Sequence, residues 1–404
     1  IKGAKDIIAE IISDNPQYRL YILKIIKETS EIVSAVKKTA EDEQAVFEMY
    51  YDYAERIKNI VPHRVLALNR GEALKVLSVK LTHDTERIAN YLKKQVIAEH
   101  VKTKELLTEA IEDSLKRLIL PSLEREVRAD LTETSEKHAV VVFEENLKRL
   151  LLQPPLKGRV ILGLDPAYRT GCKLAVINDT GSYLAKDVIF PHKPVNKKDA
   201  AKAVILKLIK KYGVSLIAIG NGTASRESEE FIGELIKDEN LDVPYIIVNE
   251  AGASVYSASD IAREEFPDFN VEERSAVSIA RRVHDPLSEL VKIDPKSIGV
   301  GQYQHDINQK FLTESLNIVV ETAVNQVGVN LNTASTTLLQ HVAGLSPVIS
   351  KNIVTFREEN GGFKKRSELK KVARLGDKTY EQCVGFLRIF NGKEPLDVTP
   401  IHPE

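Results

Sequence analysis

The sequence predicts a multidomain chain of α and α/β class: a helical scaffold, then a mixed sheet with flanking helices, then two helix, tight hairpin, helix segments in tandem. Three observations carry that prediction. Apolar residues repeat at helical spacing from Ile1 to about Leu152. Buried-strand runs alternate with amphipathic helical patterns from Arg159 to Val283. The register of Ala343-Gly344-Leu345-Ser346 recurs at Ala373-Arg374-Leu375-Gly376. At 404 residues the chain is too long for one ordinary core.

In the first region, 1–155, Ile7, Ile8, Ile11 and Ile12 mark one apolar face, and Tyr18, Ile22, Ile25 and Ile26 mark another. Asn15-Pro16 supplies a cap and first turn. Val61-Pro62 and Asn69-Arg70-Gly71 are read as breaks, and Leu74–Val79 alternates like a strand. A very long helical pattern runs from Lys104 to Leu152, with Pro121 expected to kink or end it. Charges of both signs are scattered through this region without a catalytic constellation, which fits a scaffold.

Gln153-Pro154-Pro155 with Lys157-Gly158 is the clearest linker. Beyond it, in 156–295, Arg159–Leu164 is a buried-strand run ending in Asp165-Pro166. Lys173–Asn178 and Tyr183–Pro191 continue as strands, Lys197–Lys211 as an amphipathic helix. Leu216–Ile219, a helix over Ser225–Lys237 and Tyr245–Val248 follow, then helical patterns over Val255–Glu265 and Val271–Val283. Three hairpin-spaced strands followed by helix, strand, helix, strand and helix is the order of the RNase H-like fold. No GxGxxG follows the first strand and no GxxxxGK[ST] occurs, so nucleotide binding by either loop is not expected.

Two-metal nucleases of this fold converge acidic side chains on one sheet edge, around ions about 4 Å apart. Asp165 ends the first strand, where the first such acid belongs, although an Asp before Pro also starts ordinary turns. Glu250 closes the fifth strand. The fourth strand ends on Asn221, and the apolar face of the last helix, Arg274 to Ala280, carries no acid. Asp285 lies beyond that helix, where an N-cap role is expected. Two acids without a third hold a pair of Mg²⁺ ions poorly. The carboxylate set therefore argues against an enzyme; Asp165 and Glu250 are vestigial candidates. No cofactor is expected, and Mg²⁺ enters only under the alternative reading, a metal-dependent structure-specific nuclease using those two residues.

Gly163–Lys173, Gly220–Glu227 and Val248–Ser257 resemble the YqgF-type RNase H-like domain of the Tex family of bacterial transcription accessory proteins. So does the stretch from Ser278-Ile279-Ala280-Arg281-Arg282 through Asp285-Pro286-Leu287 to Ile293-Asp294-Pro295-Lys296 and Gly299-Val300-Gly301-Gln302-Tyr303. The likeness extends over the whole chain, including Val61-Pro62-His63-Arg64. It implies a nucleic-acid-binding factor acting in transcription. Under it, Asp165 matches the first catalytic Asp of junction-cutting relatives, Glu250 falls where related nucleases place an acid, and Ser275 stands where the last helix should carry Asp. Such proteins also carry a C-terminal OB-fold RNA-binding domain and more N-terminal helical sequence. With Ile rather than Met at position 1, a trimmed piece of a longer chain is expected.

The last region, 331–404, follows a helical connector over 296–330 and resembles tandem helix-hairpin-helix motifs, whose hairpins read Gly-hydrophobic-Gly. Glycines let backbone approach a phosphate, and the next helix N-terminus points free N–H groups at it. Ser346 replaces the second glycine of the first hairpin and Arg374 the first glycine of the second. Between Leu331 and Lys393 stand eleven Lys and Arg against five Asp and Glu, in a chain whose net charge is −1. The candidate binding residues are Gly344, Leu345, Ser346, Lys351, Lys364, Lys365, Arg366, Arg374, Gly376 and Lys378. Contacts of this kind ignore base identity and are sensitive to salt.

The remaining composition bounds the setting. Hydrophobic residues at 43% and charged residues at 28% are ordinary for a globular protein. No apolar run approaches the ~20 residues that span a bilayer, and Ile1–Glu10 is not a signal-peptide pattern. Cys172 and Cys383 lie far apart with no CxxC, which argues for a reducing compartment and against a zinc site. A cytoplasmic location is expected, with DNA or RNA backbone as partner, RNA polymerase or other transcription proteins as further partners, and no membrane. A protein-interaction scaffold of the transcription machinery is the remaining alternative.

Overall fold

The structure, a computed structural model, describes residues 2–98, 100–390 and 392–404. Two compact units divide it: Ile1–Val142 with Gly301–Gln309, and Phe143–Val300 with Lys310–Glu404. Among the described residues no helix is long and apolar enough to cross a membrane.

The first unit opens with α1 (Lys2–Asp14) and α2 (Pro16–Thr29). Asn15 caps α2 by accepting from the Gln17 and Tyr18 amides, with Pro16 in the first turn, where its missing N–H costs nothing. Strands β1 (Glu31–Val36), β2 (Asp52–Arg56) and β3 (Leu77–Thr82) make an antiparallel sheet in the order β2-β1-β3. This sheet departs from the helical reading of most of the region; only its last strand is legible, because Glu31–Val36 is too short and Asp52–Arg56 too polar to stand out from the helical patterns around them. Helix α3 (Pro62–Ala73) separates β2 from β3 and runs through Asn69-Arg70-Gly71 without a break. Gly71 is a packing requirement there: a Cβ would meet Leu77 Cδ1 at 2.5 Å. Helices α4 (Thr85–Val96) and α5 (Lys104–Asp113) follow. Their core gathers Ile22, Ile26, Ile32, Leu68, Leu77, Ile88 and Ile111.

Pro121 does not end the long helix. A π-helical turn over Ser114–Ile119 precedes α6 (Leu120–Leu151), placing Pro121 in a first turn where no i→i−4 bond is demanded of it.

The second unit holds a five-stranded mixed sheet in the order β6-β5-β4-β7-β8. Its strands are β4 (Ile161–Asp165), β5 (Cys172–Ile177), β6 (Tyr183–Ile189), β7 (Leu216–Gly220) and β8 (Tyr245–Val248). β4, β5 and β6 pair antiparallel, whereas β4, β7 and β8 run parallel. Helices α7 (Lys198–Tyr212) and α8 (Ser225–Asp238) cover one face, with Ile205, Phe231 and Ile232 packed on Leu162, Ile217 and Ile219. After α9 (Ala253–Ala258) and α10 (Asp260–Glu265), α11 (Val271–His284) covers the other face, with Ala276, Ile279 and Ala280 on Ile161, Ala175 and Ala218. This is the RNase H-like order that the sequence predicts. Asp285 caps α12 (Pro286–Leu290), accepting from the Ser288 amide.

The C-terminal part contains α13 (Gln309–Val327), β9 (Val329–Asn330), α14 (Thr336–Leu339), α15 (Pro347–Asn360), α16 (Asp377–Cys383) and β10 (Leu387–Arg388), with β9 and β10 pairing in parallel. A 3₁₀ segment, Arg366–Lys371, stands where the second repeat is expected to begin with an α-helix.

Candidate functional site

The carboxylate edge is assembled by close packing of α11 on β4. Gly163 makes that approach: a Cβ there would lie 2.4 Å from the Ala276 carbonyl oxygen. With the helix held so near, the Ser275 hydroxyl faces the Asp165 carboxyl and favours its ionised form. Burial opposes it more strongly and, with Glu250 and Glu272 nearby, pushes Asp165 up to about 6. Lys173 is the cross-strand partner of Asp165 in the β4–β5 register, so their side chains share a face. Its buried Nζ donates to the Thr170 and Gly171 carbonyls at 2.5 and 2.9 Å and pairs with Glu272. A cation standing inside a buried strand run is the sequence signal for this role.

Glu250 sits over the loop after β7. Cβ atoms at Gly220 and Gly222 would lie 2.3 Å and 1.6 Å from its carboxylate oxygens, so a side chain at either position would displace the carboxylate from this place. Its backbone N–H donates to Asn221 Oδ1 at 3.0 Å, which ties the ends of β7 and β8 together. Burial raises the Glu250 carboxyl, against the Gly222 amide and Arg282. Arg282, 5% exposed, clasps the loop from behind by donating Nη1 to the Asn249 and Ala251 carbonyls at 2.7 and 2.8 Å.

This edge therefore brings Asp165, Glu250 and Ser275 to one end of the sheet and adds a lysine ammonium beside Asp165. Among the described residues, the potential ligand trio within 4.8 Å of one another is Glu381, His402 and Glu404, far along the chain and partly exposed; Asp165 and Glu250 belong to no such trio. Ser275 stands where a two-metal centre would take its third carboxylate.

The two hairpins hold the same backbone shape. Gly344 has φ +83° and Arg374 φ +67°, so Arg374 occupies the left-handed position a glycine would fill. Each hairpin is tied to an earlier helix by an asparagine, the first to α13 and the second to α15. Asn325 accepts from the Ala343 amide at 3.1 Å and donates to the His341 carbonyl, and Asn352 donates to the Ala373 carbonyl at 2.8 Å. Their surroundings differ. A Cβ on Gly344 would meet Gln382 Cβ at 2.8 Å, so α16 packs against the first hairpin, whereas Gly376 has nothing within 4 Å of that position. Ser346 caps α15, its Oγ accepting from the Ile349 amide at 3.3 Å.

Two of the expected binding residues face inward. Leu345 is 7% exposed: the hydrophobic centre of the hairpin is a core residue, as is its counterpart Leu375. Arg366 is 2% exposed and fully engaged. Nε pairs with Asp397 Oδ1 at 2.8 Å, and Nη1 and Nη2 donate to the carbonyls of Val384, Leu396 and Ile401. It is a clasp on the C-terminal segment, not a phosphate ligand. Lys351, Lys364, Lys365, Arg374 and Lys378 are exposed, and among the described residues none has an acidic partner within 4 Å. Lys370 and Lys371 lie 3.6 and 4.0 Å from Asp377 and Glu368.

Fold and site together define a multidomain protein that joins an RNase H-like sheet with an incomplete acid set to a tandem helix-hairpin-helix module. The chain belongs to the Tex family. Residues 1–143 match the Tex central region-like model, 159–284 the Tex protein YqgF-like domain, and 324–388 the helix-hairpin-helix motif. It is 59% identical to the Bacillus subtilis protein YdcI over the whole of this chain and 56% of that protein. It is 45% identical to the transcriptional accessory protein Tex of Neisseria gonorrhoeae, over the whole of this chain and 54% of that protein. It is also 43% identical to human S1 RNA-binding domain-containing protein 1, over 96% of this chain and 40% of the human one. The chain spans about half the length of the curated bacterial relatives it matches.

Proposed function

We propose that the chain binds nucleic-acid backbone without regard to base sequence, through the second hairpin and its basic surround, as part of a transcription accessory factor that does not cut its ligand. The observation that carries this reading is Arg374: an exposed arginine in left-handed backbone, beside an open Gly376, in a segment whose Lys364, Lys365 and Lys378 are also exposed. A bulky residue in that conformation costs about 1 kcal/mol or more relative to glycine. The guanidinium matches a phosphate in a bidentate fork, and the neighbouring ammonium groups add point charges along a backbone. The relative named as a transcriptional accessory protein and the one named for an S1 RNA-binding domain support the setting and the ligand class.

Fluorescence anisotropy of labelled single- and double-stranded DNA and RNA, at two salt concentrations, tests this. Affinity should fall steeply with salt and vary little with base sequence. The double substitution Lys364→Glu, Lys365→Glu should reduce the slope of log K against log salt by roughly 2, about one for each phosphate that is no longer neutralised. An unchanged slope would overturn the assignment of this surface.

A further inference from the structure

We infer that β8 is a docking edge for an extended, apolar peptide segment of a partner protein, which adds a sixth strand to the sheet. β8 is the last strand on its side of the β6-β5-β4-β7-β8 sheet. The Ile217 amide donates to the Pro244 carbonyl, and the Asn221 amide to the Val248 carbonyl, each at 3.0 Å. Residues 244, 246 and 248 therefore turn their backbone toward β7. By the two-residue period of a strand, Tyr245 and Ile247 turn both N–H and C=O away from the sheet. A row of outward donors and acceptors is complementary to one thing above all, another extended backbone.

The side chains fit the same occupant. Tyr245, Ile246 and Ile247 are 38%, 40% and 41% exposed, an apolar run on a sheet edge whose outward-facing positions carry no lysine, proline or bulge to discourage pairing, Pro244 facing β7. Beside the strand, on the α11 face, a cavity of about 230 Å³ is lined by Ile246, Val248, Leu156, Val283, Leu290 and Ile298. Its lining also includes Arg282 and the Asn249 and Ala251 positions that Arg282 clasps, so the wall is preformed. An added strand puts alternate side chains on that face, and the cavity is sized for one large aliphatic group. A second copy of the chain fits less well. Four strand residues bury far less than the ~1,200 Å² of a stable dimer, and copies pairing β8 with β8 present short, blunt edges to each other.

The probe is a fluorescein-labelled Thr-Val-Thr-Leu-Thr-Val-Thr peptide, added to the whole chain, with amide hydrogen exchange as the second readout. The expected result is saturable binding with protection of the Tyr245 and Ile247 amides. The same peptide N-methylated on alternate residues should not bind. Ile247→Pro removes an outward N–H without touching the β7 ladder, and should weaken binding by roughly tenfold, the cost of leaving an acceptor unpaired. Ile247→Lys, which keeps the backbone intact and charges the edge, should also weaken it if the proline variant fails to fold. Absence of protection at Tyr245 and Ile247 with the peptide at millimolar concentration overturns the inference. So does a dimer of the chain that Ile247→Lys dissociates, because the edge would then be held by a second copy.

Discussion

Arg366 and Asp397 form a buried ion pair, Nε to Oδ1 at 2.8 Å, with the Asp397 carboxylate also accepting from the Arg366 amide at 2.7 Å. The pair fastens the segment after β10 to the hairpin module. Removing one partner leaves the other charged and buried, at a cost of about 3–5 kcal/mol. Asp397→Asn should therefore lower the denaturant midpoint of the chain substantially, while the salt slope of nucleic-acid binding in the folded protein stays as in the parent. An altered slope with an unmoved midpoint would return Arg366 to the binding surface.

Arg374 allows backbone strain and charge to be separated. Arg374→Gly relieves a left-handed conformation and should stabilise the module by roughly 0.5–1 kcal/mol, offset in part by the greater freedom of glycine in the unfolded chain. It should also weaken nucleic-acid binding. Arg374→Ala keeps the strain and removes the charge, so it should weaken binding equally without raising the melting temperature. Equal affinity of both variants and the parent would show that the guanidinium faces nothing.

Asp165 sets a pH dependence whose sign follows from its elevated affinity for a proton. Its carboxyl is raised from 3.8 to about 6, chiefly by burial. Below pH 3.8 it is protonated in both folded and unfolded chains and contributes no difference. Between pH 3.8 and 6 the unfolded chain loses this proton first, so stability falls as pH rises, and above pH 6 the deficit levels off at about 3 kcal/mol. Asp165→Asn removes the charge to be buried. Its melting temperature relative to the parent should rise between pH 4 and pH 7; a difference that does not change with pH would contradict the burial argument.

Ser275 tests the reading of the carboxylate edge. Ser275→Asp places a third acid against Asp165, and without a metal it should lower the melting temperature at neutral pH. Millimolar Mn²⁺ should restore much of that loss in the variant, because an ion that binds only the folded state stabilises it. The parent should show no such shift, and no Mg²⁺- or Mn²⁺-dependent cleavage of branched DNA or RNA:DNA hybrids. Cleavage by the parent that disappears in Asp165→Asn would establish the nuclease reading instead.

Local sequence was enough to set the sheet of the second unit almost residue by residue. Strands covered on both faces must be continuous apolar runs, as Ile161–Leu164 and Leu216–Ile219 are, and the apolar run Tyr245–Val248 continues the sheet as its edge. It was also enough for the caps at Asn15 and Asp285, the positions of the two hairpins and the place of Ser275 on the last helix, because each depends on residues close together in the chain. Which polar groups face inward was settled only by folding. Arg366 stands in a basic run that reads as surface, and only Asp397, thirty-one residues on, makes it a core residue. Lys173, Arg282 and the glycines beneath Glu250 likewise take their roles from partners on other strands and helices. Strands β1 and β2 were hidden for the same reason: β1 pairs with β2 on one side and β3 on the other only once the chain folds back, and local sequence carries no trace of such partners.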